Sequence, residues 1–277
     1  MKLDLLAPCR STAILFLGII YALLLDACHY PKALTTSQHQ KPLPKIHSSH
    51  YISNDEDSDY FIDEPTPHIR FPPGGKTVHM ALNAYEPYAL ARLTPYFKRA
   101  GVTYPPKEVA LIAYKDSKRL EMWAKHQDAY RRIKRYRIKA ASGSTGPKLV
   151  RGDYQVPEGL YQITQLNPNS QFHLSLRLNY PNAQDRQFAK LDGRTNLGGD
   201  IYIHGKDLSI GCLAMGDETI EELFVLTGTV GIDHVKVIIS PRVLSELQLL
   251  TSVNLRKNWM RDLYMQITKA IRGIQGG

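Results

Sequence analysis

The run Asp200-Ile201-Tyr202-Ile203-His204-Gly205-Lys206-Asp207-Leu208-Ser209-Ile210-Gly211-Cys212-Leu213-Ala214-Met215 places a histidine and a cysteine at the two ends of a turn-rich loop. The β-prone residues Ile201, Tyr202 and Ile203 predict a short strand that delivers His204 at its end. Gly205 to Ser209 have turn chemistry, so the chain can fold back and bring the Cys212 thiol within hydrogen-bond reach of the imidazole. A thiol is mostly protonated at neutral pH, and a neighbouring imidazole that takes its proton supplies a thiolate able to attack a carbonyl carbon. With no side chain at Gly211, backbone N–H groups near Gly211 and Cys212 are placed to face a developing oxyanion, a contribution of roughly 3 kcal/mol in acyl transfer. The plain alternative is a small buried cysteine beside a hydrogen-bonded packing histidine. Spacing alone leaves both open.

The remainder of the chain must hold this loop. At 277 residues, net charge +9 and 43% hydrophobic, it is long enough for one sizeable globular domain with appendages and too apolar for overall disorder. Charge is uneven, with Asp55, Glu56, Asp57, Asp59, Asp63 and Glu64 on one side and Arg131, Arg132, Lys134, Arg135, Arg137 and Lys139 on the other. The basic run has little aromatic interleaving and no nucleic-acid motif, so it reads as a solvated strand face or a weak attractor of anionic lipids and wall polymers. No nucleic-acid partner is expected. The three cysteines, Cys9, Cys28 and Cys212, contain no CxxC pair, which gives no support to a metal site or a disulfide framework.

Residues 1–27 carry Lys2 and Arg10 followed by the apolar run Ala13–Leu25, the pattern of an export signal or membrane anchor. Leu25-Asp26-Ala27-Cys28 resembles a bacterial lipobox, with Asp26 as a departure, and makes Cys28 a lipidation candidate beside an uncleaved anchor or a cleaved signal. Each outcome puts the rest of the chain in the periplasm or cell envelope of a bacterium. Residues 28–77, rich in Pro, Ser, His and charge, are expected to be a flexible linker.

From Val78 to Ala100, Leu82, Tyr85, Ala89, Leu93 and Phe97 fall on one helical face that Gly101 ends, with Pro87 and Pro95 expected to kink or divide it. Val109–Tyr114 reads as a buried strand, 120–124 and 130–140 as a meander, and 156–163 as a turn feeding another strand. Alternation from 172 to 178 puts Phe172, Leu174, Leu176 and Leu178 on one face and His173, Ser175 and Arg177 on the other. Asp217 is expected to cap a helix that Gly228 ends, Val235–Ile239 to be a closing strand, and residues 242–277 a C-terminal helical extension with Leu255, Trp259, Leu263, Ile267 and Ile271 in register.

The order IHGK…SIGCLAM, following VPEGLYQI at Val156–Ile163, resembles the YkuD-type L,D-transpeptidase catalytic domain. It is most similar to the YafK-like murein L,D-transpeptidase branch, through Ser-Ile-Gly-Cys and the phrases NPNSQFHLSLRLNYPN and DGRTNLGGDI between Asn167 and Ile201. The likeness covers about 78–241. It implies a mainly β domain, an L,D-transpeptidase-like β-sandwich or barrel with peripheral α-helices, acting on peptidoglycan stem peptides without a cofactor. By the same resemblance Cys212 is the nucleophile of a thioester acyl-enzyme and His204 the base. Gly205, Ser209 and Gly211 orient the pair or serve the oxyanion, and Arg177 and Tyr202 bind substrate, Arg177 through a carboxylate. Three positions depart from the family pattern: Val156 replaces a threonine, Ile210 a histidine, and Ala214-Met215 an Arg-Met pair. These departures keep open a hydrolase of the same site, cutting for example a linkage to a wall-linked lipoprotein. A non-catalytic wall-binding module is the third class, and the intact Cys and His pair argues against it.

Overall fold

The strand β1 (Val109–Tyr114) is buried along its whole length, so both of its faces need cover. Its alternate residues separate into two cores. Val109, Leu111 and Ala113 join the main cluster with Tyr85, Leu93 and Phe97 of helix α1 (Val78–Ala100) and Leu223 and Phe224 of α3 (Asp217–Val230). Ala110, Ile112 and Tyr114 face Trp259, Leu263, Tyr264 and Ile267 of the C-terminal helix α4 (Trp259–Gln275). The computed structural model describes residues 65–243 and 257–276, so the leader with Cys28, most of the expected linker and Leu255 lie outside the described residues.

β1 is one member of a curled nine-stranded sheet in the order β3-β2-β1-β9-β5-β6-β7-β8-β4. The strands are β2 (Arg119–His126), β3 (Ala129–Arg137), β4 (Ala140–Ala141), β5 (Gly159–Asn167), β6 (Ser175–Leu178), β7 (Tyr202–His204), β8 (Leu213–Ala214) and β9 (Val235–Ser240). The helix α2 (Ala183–Leu191) follows β6 and opens with a capping box between Asn182 and Asp185. The architecture is mainly β with peripheral helices, the sheet forming a half-barrel. β9 is no edge piece: it runs parallel to β1 and antiparallel to β5 in the sheet interior. The basic β3 is one of the two edge strands, and its exposed Arg131 and Arg132 discourage pairing with another chain. Lys134 instead turns inward onto Glu222, 3.1 Å away.

α1 runs unbroken through Pro87 and Pro95, against the expected division. Both prolines are only half-buried and off the stripe Tyr85, Ala89, Leu93, Tyr96 and Phe97, whose burial outweighs the roughly 3 kcal/mol that an interior proline costs. Gly101 closes the helix in the left-handed conformation, φ 64°. Residues 65–77, assigned to the linker by composition, form neither helix nor strand and are fastened at three points. Ile69 and Phe71 pack on the main core, and the backbone of Lys76 exchanges hydrogen bonds with the Asn169 amide. Among the described residues no helix is long and apolar enough to cross a membrane.

α3 ends at Gly231 and not at Gly228. Gly228 sits inside the helix because a Cβ there would meet the Leu82 side chain of α1 at 2.5 Å. Gly228→Ala is expected to destabilise the protein by about 1–3 kcal/mol through overpacking, read as a thermal midpoint lowered by several degrees. An unchanged melt would contradict the close approach of α1 and α3.

Candidate active site

The short strand β7 sits between β6, antiparallel, and β8, parallel. Ile203 pairs with Leu213 and both are fully buried, so the alternation turns Tyr202 and His204 to the other face, with Cys212 leading into β8 beside them. On β6, Ser175 pairs with His204 and Arg177 with Tyr202, which adds Arg177 to the same face. The sheet thus gathers Arg177, Tyr202, His204 and Cys212, residues scattered over the sequence. The parallel β7–β8 pairing is what converts the loop between His204 and Cys212 into a return path.

His204 is 3% exposed, and its Nδ1 lies 2.6 Å from the Gly205 carbonyl oxygen. A proton on Nδ1 donates to that carbonyl, which leaves Nε2 as the acceptor. Burial lowers the imidazole pKa below its ordinary 6.5, against a smaller opposing effect of the Gly205 carbonyl. The ring is therefore neutral near pH 7, as a proton acceptor must be. Phe172 covers it, with ring centroids 4.6 Å apart.

Gly205 holds its place because nothing larger fits: a Cβ would stand 2.6 Å from both the Asp217 Oδ1 and the Phe172 carbonyl oxygen. The base of the loop is closed by Met215 N–H donating to His204 O at 2.8 Å and Gly216 N–H to Lys206 O at 2.9 Å. Asp217, expected to cap α3, does other work. Gly216 is the N-cap, and the Asp217 carboxylate accepts from the Lys206 amide at 2.9 Å and its ammonium at 2.6 Å. These bonds hold the aspartate pKa below the usual carboxylate value despite burial.

At the other end Ser209 organises the cysteine turn. Its Oγ donates to the Cys212 carbonyl at 2.7 Å and accepts from the amides of Ser142, Gly211 and Cys212 at 3.2, 3.3 and 3.2 Å. The amides of Gly211 and Cys212, expected to face an oxyanion, both donate to Ser209 Oγ in this structure. Gly211 itself adopts φ 127°, a conformation that favours glycine.

The expected hydrogen bond between Cys212 and His204 is also not made. The thiol points to the Asp200 carbonyl, 3.8 Å away, because Asp200 has a left-handed backbone, φ 57°, that aims its oxygen at the sulfur. Burial pushes the Cys212 pKa above its ordinary 9.0, and the Asp200 charge adds to this, while the Tyr202 backbone N–H and Lys148 act in the opposite direction. Thiol and imidazole rest as a neutral pair.

Arg177 is not a free cation. It pairs with the Asp200 carboxylate at 3.0 Å, and the Tyr202 hydroxyl lies 3.5 Å from the same oxygen. Both partners of the ion pair are substantially exposed, at 43% and 74%, so an incoming carboxylate can exchange with Asp200 at little cost. Ile210 and Leu208 stand out into solvent, 77% and 69% exposed, whereas Ala214 and Met215 are fully buried. Among the described residues no cluster of His, Cys, Asp or Glu has the arrangement of a metal site.

The predicted alternation from 172 to 178 holds for Leu174, Leu176 and Leu178 and fails before them. β6 begins only at Ser175, and His173 is left-handed with φ 74°, which frees Phe172 to lie over His204. Sequence reasoning missed Phe172 and Asp217 as parts of the site, and gave Asp200 no role beyond opening the run. Only the polar break at Gln171 and His173 in an apolar alternation hinted that the strand starts late.

Residues 108–239 match the family model of the L,D-transpeptidase catalytic domain, YkuD. Among individual proteins it is similar to "Putative L,D-transpeptidase YafK" of Escherichia coli K12, 33% identical over 133 residues that cover 47% of this chain and 52% of that protein. The chain spans about half the length of the curated relatives it matches. Among solved structures, the helical cell shape determining protein Pgp2 of Campylobacter jejuni is 20% identical over 58% of this chain and 59% of its own, with a TM-score of 0.42. L,D-transpeptidase 1 of Mycobacterium tuberculosis is 10% identical over 48% and 62%, with a TM-score of 0.29.

Proposed function

We propose that this protein is a cysteine acyltransferase of the L,D-transpeptidase type that acts on peptidoglycan stem peptides in the cell envelope. Export and tethering follow from the leader pattern that ends at Cys28. The observation that carries the reading is the buried His204, its Nδ1 2.6 Å from the Gly205 carbonyl oxygen, on the strand beside the turn that bears Cys212. In the first half-reaction Cys212 Sγ attacks the carbonyl carbon of a diamino-acid residue as its proton passes to His204 Nε2. This requires the thiol to turn from the Asp200 carbonyl to the imidazole, a tightening common when substrate binds. Collapse of the tetrahedral intermediate expels the leaving amine, which takes the proton from His204 and leaves a thioester. An amine or water then attacks the thioester, giving its proton to His204, and the thiol is regenerated. Arg177 and Tyr202 are assigned to the donor side, where Arg177 exchanges Asp200 for a substrate carboxylate.

Hydrolysis is favoured as the competing outcome by one observation: Ile210, 77% exposed, stands where the family pattern has a histidine. An apolar side chain there offers no hydrogen bond to seat an acceptor amine, and an unpositioned amine competes poorly with bulk water. Donor muropeptide labelled at its leaving residue, turned over with and without millimolar amine acceptor, separates the two. Cleaved monomer is expected to dominate in both. A predominantly cross-linked product would show that the acceptor is positioned after all, and release of no label would contradict the acyl-transfer reading itself.

A further inference from the structure

We infer that His173, held by Glu221, is a positioning residue for the His204 imidazole; the inference rests on the reading of His204 as general base. The backbone of residues 172–174 clasps the glycine that orients His204. Gly205 N–H donates to the Leu174 carbonyl at 3.2 Å, and a Cβ on Gly205 would touch the Phe172 carbonyl oxygen at 2.6 Å and His173 Cβ at 3.1 Å. The clasp therefore controls both contacts that fix the imidazole: the Gly205 carbonyl on Nδ1 and the Phe172 ring 4.6 Å away.

His173 is the kink of the clasp. Its φ of 74° is uncommon outside glycine and persists where surroundings over-determine it. The surroundings are specific. His173 Nε2 lies 2.8 Å from Glu221 Oε1, and the Tyr85 ring meets the imidazole edge-on at 5.3 Å. Glu221 is in turn fixed by Arg92 at 2.9 Å, both side chains 4% exposed, and by the Thr66 hydroxyl. Arg92 continues to Glu222 at 3.0 Å and to the Glu218 carbonyl at 3.2 Å. Asp217 and Lys76 complete the charged groups around the pair. The hydrogen bond from His173 thus ends on a carboxylate of α3 that Arg92 of α1 holds in place, and it ties the clasp to both helices. Without the tie, the left-handed residue relaxes, Phe172 leaves the imidazole, and the Gly205 carbonyl no longer selects the Nδ1 tautomer.

The test measures the acylation of Cys212 in the full chain by a carbapenem-type reagent across pH, with turnover of muropeptide and thermal melts in parallel. His173→Ala and Glu221→Gln are expected to lower the acylation rate about 10- to 100-fold, to lower kcat with little change in KM, and to blunt the acid limb of the rate profile. His173→Gln, which keeps a donor for Glu221, is expected to recover most of the rate. Phe172→Leu changes a partly exposed side chain, so it decides the matter should His173→Ala fail to fold; a drop of several-fold is expected. A change of melting temperature in the His173 variants without change in rate or pH profile would overturn the inference, as would a wild-type rate in Phe172→Leu or no rescue by glutamine. His204→Ala in the same series keeps the two ideas apart. If it is as fast as wild type, the base reading has failed and the inference with it; if it is slow while His173→Ala is not, only the positioning role is lost.

Discussion

Cys212→Ala is expected to abolish turnover while the melting temperature stays within a degree or two of wild type. The thiol is the only group on the cysteine turn with nucleophilic chemistry, and no neighbouring hydroxyl replaces it: Ser209 Oγ is already saturated with backbone partners. The turn does not depend on the sulfur for its shape. Ser209 holds it through the backbone amides and carbonyl, and the hydrogen bond of the thiol to the Asp200 carbonyl is long at 3.8 Å. A fold-neutral loss of all acyl transfer is thus the signature of a nucleophile. Residual turnover at the wild-type rate in the alanine protein would remove Cys212 from the chemistry.

His204→Ala is expected to slow acylation by roughly 100-fold or more, the ordinary range for a lost general base. The thiol makes this dependence strong, because its pKa is raised above 9.0 and little thiolate exists near neutrality without a base. The pH profile follows from the signs of the shifts. With the imidazole pKa lowered, the acid limb of the wild-type rate falls below 6.5, and that limb is absent in His204→Ala. Stability carries the same mark. A buried histidine of lowered pKa gives stability that is present above 6.5 and lost as pH falls toward the folded-state value. The raised thiol pKa gives stability present below 9.0 and lost as pH climbs through the folded-state value. Melting curves of wild type, His204→Ala and Cys212→Ala between pH 5 and 10 check both, and an alanine variant that keeps the wild-type pH dependence at its end of the range would show the shift to be misassigned.

What could be read from the sequence is what local pattern determines. The apolar run of β1, the stripe of α1 with its glycine stop, and a short β-prone segment ending in His204 are each set by neighbours within a turn or a strand. The return of the chain from His204 to the cysteine turn was expected from the turn-rich loop between them, and the parallel β7–β8 ladder is how the fold makes that return. What was misread depends on distant partners. Gly228 looked like a helix stop because its role is to admit Leu82 from α1. Asp217 looked like a cap, yet Lys206 across the loop draws it away. The amides at Gly211 and Cys212 looked free until Ser209 claimed them. His173 had every mark of a strand residue except its tie to Glu221 on α3, which no local pattern announces.

Intact-mass spectrometry of the full chain, quenched in acid during turnover of a defined muropeptide, addresses the thioester itself. The expected spectrum contains a species heavier than the free protein by the donor peptide less its leaving residue. Fragmentation should place the increment on the peptide that contains Cys212, and hydroxylamine should remove it. Cys212→Ala treated in the same way should give no such species. An increment of the same mass in Cys212→Ala, or its placement on any other residue of the wild-type protein, would contradict a Cys212 acyl-enzyme.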